Sequence, residues 1–290
     1  MSLQFLAPKP SAGPRRIRSE RPTALVLLSL CCLAALAMAA LLGRRLAPTD
    51  PARQNLSESG LPPGSAHLLG TDSFGRDILS RVLVGARPAL EGPCIVALCA
   101  TAAAVVLGLL AGFRGGWIEA VIMRAADMVL ALPALLVVIV TVGLFTGGYW
   151  LAVVMLIVLT APSGTRVIRS AVLAQRTLPY IEAARTVGVT NRRLMFVHIL
   201  PNISATVVAS LLLDFVGSLI ALSSLSFLGL GSPPGTPDWG KMLVENRGLL
   251  EQNPSAAVAP AVLLIVAAFS MTVLGDWAYS RLEEGKNVRD

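Results

Sequence analysis

Hydrophobic residues along this chain fall in long blocks, and the polar and charged residues collect between them. A helix that crosses a bilayer needs about 20 mostly apolar residues. Six segments meet that need: about 24–42, 89–112, about 125–145, 149 to about 164, 203 to about 222, and 256–275. The third contains Asp127 and Pro133. The pattern predicts an all-α membrane protein with six transmembrane helices. It divides the chain into a tail (1–23), a first span (24–42), a loop (43–88), a core with five spans (89–275) and a second tail (276–290).

The polar intervals carry their own patterns. Residues 47–65 are rich in Pro, Ser and Gly and read as irregular. The stretch "GTDSFGRDILSRVLVGAR" then reads as amphipathic helix, with Ile78, Leu79, Val82 and Leu83 on one face and an i,i+4 pair, Asp77 and Arg81, on another. A short helix lying on the membrane surface fits it. In "SPPGTPDWGKML" (232–243) the prolines forbid a helix at the start, and Trp239 and Lys241 suit anchoring in the headgroup layer.

Residues 165–201 break the apolar pattern most sharply. They hold Arg166, Arg169, Arg176, Arg185, Arg192 and Arg193 against a single acid, Glu182. Pro179 biases Leu178 away from helical geometry, so one helix ends there. "YIEAARTVG" forms a second, short helix that ends near Gly188, a natural left-handed cap. "NRRLMFVHIL" forms a third, capped by Thr190 or Asn191 and stopped by Pro201. Ala183 and Ala184 leave room for a close-approaching surface, and the arginines offer charged contacts around it. From the residues alone, a docking device and a basic loop that only enforces topology are equal readings.

Composition agrees with the blocks. The chain has 290 residues, 54% hydrophobic and 14% charged, against about 25% charged in soluble domains. The net charge of +7 comes from basic residues that flank apolar blocks, so it argues for membrane topology and against nucleic acid. With the N-terminus inside, cytoplasmic segments hold 16 Lys and Arg and outer segments hold eight, which places both termini in the cytoplasm. The basic start and Ala-x-Ala near Ala39 resemble a signal peptide. The apolar run is longer than a signal core, which favours a retained helix.

Candidate chemistry is sparse. Cys31, Cys32, Cys94 and Cys99 lie inside apolar blocks without a CxxC pair and read as small buried residues. His67 and His198, the only histidines, fall in different compartments, so no metal site is expected. The three lysines, Lys9, Lys241 and Lys286, cannot build a Walker motif, so any ATP chemistry belongs to another chain. No catalytic motif is present, and the chain reads as no enzyme. Asp127 reads as paired to Arg124 across one helical turn. Asp214 lies mid-span with no local basic partner, which makes it a candidate for a substrate path; it is also the one residue that would suit an ATP-independent secondary transporter.

"EAARTVGVTNRRLMFVHILP" resembles the EAA loop of ABC-importer permeases, with Glu182, Ala183, Ala184, Gly188, Leu200 and Pro201 at matching positions. His198 stands where that pattern usually has Ile, and this resembles the dipeptide/oligopeptide (peptide/nickel) branch. Residues 67–87, 113–133, 225–243 and 274–277 look like its C-type subunit. Ala221 replaces an acid common in the family, and "GDWAYSRLEE" departs from its usual ending. The resemblance implies a type I ABC-importer permease fold with a cytoplasmic EAA loop. It implies a heterodimer with a homologous permease, two ABC ATPase subunits that bind the ATP and Mg, and an extracytoplasmic substrate-binding protein. No cofactor would sit in this chain. Glu182, Ala183, Ala184, Arg185, Gly188, His198, Leu200 and Pro201 would couple to the ATPase. Substrates in the family include dipeptides, oligopeptides, glutathione, nickel chelates and haem.

Overall fold

A computed structural model describes residues 24–145, 147–231 and 235–287. The basic tail before residue 24, the prolines of 232–234 and residues 288–290 lie outside the described residues. Helices in chain order are α1 (Ala24–Leu46), α2 (Ile78–Arg114), α3 (Gly116–Leu130), α4 (Ala134–Leu144), α5 (Gly148–Arg176) and α6 (Pro179–Thr186). There follow α7 (Asn191–Arg193), a π turn (Leu194–Ile199), α8 (Leu200–Asn202), α9 (Ser204–Phe227), α10 (Trp239–Glu245) and α11 (Ser255–Asn287). Five of these are long and apolar enough to cross a membrane, and the bent pair α3–α4 makes six. Lipid offers no partner to backbone N–H and C=O groups, so a chain crosses it as helix or closed barrel, and continuous apolar blocks of this length, without strand alternation, take the helix.

Several predicted bounds change. The surface helix expected around residues 78–87 is the first part of α2, which runs without a break into the second span. Its apolar face does not lie on lipid. Ile78, Val82, Ala86 and Ala89 are buried in a core shared with Leu36 of α1, Phe215 and Leu219 of α9, Trp239 and Met242 of α10, and Ala256 and Ala267 of α11. The third span is broken at residues 131–133 by a 74° bend. Pro133 supplies the cause, since it stands in extended geometry and cannot continue α3. Helix α5 runs on through Arg166 and Arg169 to Arg176 and ends just before Leu178 and Pro179, as the proline predicts. The helix that holds the last span, α11, continues well past Gly275.

Side-chain expectations change too. Asp77 does not pair with Arg81; it caps α2, accepting from Ser80 N (2.8 Å) and Ser80 Oγ (2.6 Å). Asp127 does not pair with Arg124 but with Arg166 on α5, and Glu119 pairs with Arg169 one turn further along. These bonds tie α3 to α5 where a bond along α3 would have tied it only to itself. Trp239 is no headgroup anchor: it is fully buried, and its Nε1 donates to the Val82 carbonyl at 2.9 Å. Cys31, Cys94 and Cys99 are exposed on their helices and Cys32 half-buried, so they do not fill the core of this chain.

Helices α2 and α5 make the most extensive contact of the bundle. A Cβ added at Gly108 would lie 2.7 Å from Cβ of Ile168, and one at Gly112 would lie 2.8 Å from Cβ of Val172. Two glycines one turn apart thus seat two β-branched residues, the small-xxx-small device by which helices approach in lipid. Around residues 47–77 a compact cap folds over the start of α2. Arg76 Nε donates to Asp72 Oδ2 (2.6 Å), and Glu245 Oε2 accepts from Arg76 (2.9 Å) and Arg81 (3.0 Å). Asp72, Arg76 and Arg81 are all buried. Asn253 completes the fastening with bonds to the carbonyls of Leu61 (3.0 Å) and Thr71 (3.1 Å).

Two outcomes follow for stability. Gly112→Val forces α2 from α5, and overpacking of this kind costs about 1–3 kcal/mol or more; a lowered thermal midpoint of the detergent-purified protein checks it. Arg81→Met breaks a buried ion network, with an expected loss of about 3–5 kcal/mol. Arg87→Met, which removes the exposed Arg87–Glu91 pair, moves the same midpoint little.

Candidate functional site

The segment between α5 and α9 folds against the end of the bundle remote from the cap. Leu178 is extended (φ −78°, ψ 146°), as a residue before proline prefers, and Pro179 opens α6 where its missing N–H costs nothing. Helix α6 ends in a Schellman arrangement. Gly188 N donates to Arg185 O (2.9 Å), Val189 N donates to Ala184 O (3.1 Å), and Gly188 holds φ at +85°. A side chain at Gly188 would meet nothing within 4 Å, so the turn stands clear of the rest of the chain.

Ile181 roots α6. It is fully buried with Leu109 and Phe113 of α2, Ile168 and Val172 of α5, and Leu194, Met195, Ile199 and Ile203 of the following turns. The opposite face is open: Glu182, Ala183, Arg185 and Gly188 are exposed, as are Arg192 and Arg193. Val187 is 84% exposed, and Phe196 and Val197 are more than half exposed. The result is a short helix with an apolar root and an outer surface that mixes one acid, several arginines and uncovered apolar groups. Arg185 is less free than a rim residue, because its guanidinium lies 5.3 Å from the centre of the Phe113 ring.

Pro201 does not stop the third helical piece. It sits inside α8, and the chain breaks only after Asn202. Proline removes one backbone donor and crowds the carbonyl four residues back; the wider π turn over Leu194–Ile199 is where the ladder is rearranged to admit it. Thr190 occupies the cap position of α7 without a side-chain bond. His198 and Leu200 are half-buried, Leu200 against the apolar root, while Pro201 is exposed.

The structure therefore gathers Glu182, Ala183, Arg185 and Gly188 on one exposed surface, with Ala184 turned partly inward. Asp214 is elsewhere. It lies on α9, where its Oδ2 accepts from the Thr101 hydroxyl of α2 at 3.0 Å. Its partner is thus a hydroxyl on a neighbouring span. Among the described residues no group of His, Cys, Asp and Glu could hold a metal ion. Sequence reasoning missed the supports of α6: Phe113, Ile181, and the polar contacts of Tyr180 and Asn202. The one signal for Ile181 was an apolar residue in an otherwise polar stretch. Ile181→Ala removes the root, at a cost of about 2–4 kcal/mol to the local fold. Faster amide hydrogen exchange across 179–203 with unchanged exchange in α2 checks it.

Comparison with known proteins places this geometry. The family model described as "Binding-protein-dependent transport system inner membrane component" matches residues 104–286. The chain is 33% identical over 256 residues to the dipeptide transport system permease protein DppC of Haemophilus influenzae, covering 86% of this chain and 87% of that one. It is 37% identical over 214 residues to the glutathione transport system permease protein GsiD of Pectobacterium atrosepticum (74% and 71%). It is 35% identical over 237 residues to the di/tripeptide permease DppC of Pseudomonas aeruginosa (80% and 78%). Among solved structures, the inward-facing MetNI methionine ABC transporter aligns with a TM-score of 0.54 at 17% identity, covering 70% of this chain and 96% of that one, a likeness of fold. A multi-pass helical bundle with these matches belongs to the family of inner membrane components of binding-protein-dependent transport systems.

Proposed function

We propose that this chain is the permease subunit of an ATP-driven importer of di- or oligopeptides, and that α6 is where ATP hydrolysis is coupled to it. The observation that carries the reading is the form of α6: rooted by Ile181 in the ends of α2 and α5, and open on the face bearing Glu182, Ala183 and Gly188. A rooted helix with a free face passes displacement from a docked partner to the spans beneath it. The relatives that transport dipeptides and di/tripeptides support the substrate class. Glutathione, carried by another relative, is itself a small peptide, and nickel chelates and haem are the remaining alternatives.

In this reading a homologous permease completes the translocation path. Two ATPase subunits, which bind the ATP and Mg, dock on the cytoplasmic face at α6, and a binding protein delivers substrate to the cap face. Both termini lie in the cytoplasm, in keeping with the excess of Arg at the α6 end. Asp214 is assigned to the path. ATP closes the ATPase pair, and the cycle turns because ATP binds one conformation of the complex better than the other.

Complexes reconstituted in vesicles test it. Glu182→Lys and Gly188→Arg are expected to assemble and hydrolyse ATP while vanadate-sensitive uptake of labelled dipeptide falls to background. Normal uptake by an assembled Gly188→Arg complex would refute the coupling role. Mass spectrometry of the ligand carried by the partner binding protein decides the substrate, and a nickel chelate or haem there would overturn the peptide assignment.

A further inference from the structure

The root of α6 holds it down, but a second set of contacts fixes its direction. Tyr180, in the first turn of α6, donates its hydroxyl hydrogen to Gln175 Oε1 at 2.8 Å. Gln175 lies one residue from the end of α5. The same hydroxyl oxygen accepts from Asn202 Nδ2 at 3.1 Å. Asn202 closes α8, two residues before α9 begins, and its amide also donates to the His198 carbonyl at 2.8 Å. One phenolic oxygen therefore joins the helix entering the segment, the short helix itself, and the turn that leads into the helix leaving it. At the other end of α6, Arg185 rests over Phe113 of α2.

We infer that Tyr180 and Asn202 are positioning residues that make α6 move α5 and α9 together, a role that rests on the coupling reading given above. Ile181 alone would let α6 pivot, since an apolar side chain in an apolar socket resists withdrawal but has no directional bond against rotation. The Tyr180 hydroxyl supplies direction, because a hydrogen bond weakens steeply as its angle departs from straight. The anchors differ in sequence as well. Gln175 and Asn202 stand on opposite sides of the loop, so a force on α6 divides between two spanning helices instead of passing into α5 through the chain alone. The π turn and Pro201 sit inside this bridge, where the backbone ladder is weakest. The Asn202 side chain spans that weak point by returning to His198.

Tyr180→Phe removes the hydroxyl and leaves the ring, so the whole complex in vesicles can be tested with little risk to folding. The readout is peptide transported per ATP hydrolysed. Tyr180→Phe and Asn202→Ala are each expected to lower this ratio about fivefold, the equilibrium weight of one ordinary hydrogen bond. Tyr180→Phe/Asn202→Ala together are expected to lower it by less than the product of the two single effects, because the two residues share the Tyr180–Asn202 bond. A wild-type ratio in Tyr180→Phe, with or without a lower melting temperature, would overturn the inference, as would independent, multiplying effects of the two changes. Gly188→Arg separates the two levels. If it uncouples while Tyr180→Phe does not, the bridge is wrong and the coupling surface stands; if Gly188→Arg is itself coupled, both fall.

Discussion

The close seating of α2 against α5 is the contact on which the rest is built. In lipid there is little hydrophobic gain from bringing two apolar helices together, so association rests on tight packing and on the few polar bonds available. Gly108 and Gly112 admit Ile168 and Val172 at a distance that larger residues would forbid. That contact brings Phe113 and Ile168 side by side at one end, and the two form the floor on which Ile181 lands. Toward the other end the same helix α2 carries Arg76, just before it, and Arg81 to their carboxylates. Both polar ends of the molecule are therefore referred to one helix.

Ion pairs are distributed according to that frame. At the α6 end they run between α3 and α5, with Asp127 on Arg166 and Glu119 on Arg169, and are partly open to solvent. At the cap end the pairs of the buried Arg76 and Arg81 hold non-helical chain to α2 and α10. The first arrangement joins helices that already lie beside each other. The second organises a segment with little apolar area of its own, for which charge pairing and the carbonyl bonds of Asn253 replace a core.

Much of this could be read along the chain, and the limit is physical. Apolar blocks located the spans because lipid leaves a continuous apolar segment no alternative to helix. Pro179 and Gly188 marked α6 because proline fixes its own φ and glycine readily enters the left-handed turn that closes a helix. What escaped were features whose causes are remote in sequence. Arg81 looked like one half of a helical pair, yet its carboxylate belongs to Glu245, 164 residues away. Trp239 looked like a surface anchor because its acceptor, the carbonyl of Val82, is 157 residues distant. The continuity of α2 was hidden for the same reason: the stretch ending at Arg87 read as a separate surface helix, and only the partners around Arg81 make a buried charge tolerable there. In the α6 segment the exposed residues carried a recognisable spacing, whereas Ile181, Tyr180 and Asn202 act through neighbours that only folding supplies.

An unbroken α2 of 37 residues is about 55 Å long, against roughly 30 Å for the hydrocarbon layer. It is longer than that layer is thick, and the cap and the α6 floor are fixed to its two ends. The separation between the cap and α6 is thus set by a protein ruler and not by the lipid. Local thinning or thickening of the membrane tilts such a bundle or deforms the surrounding lipid, but it leaves the span between one polar end and the other unchanged.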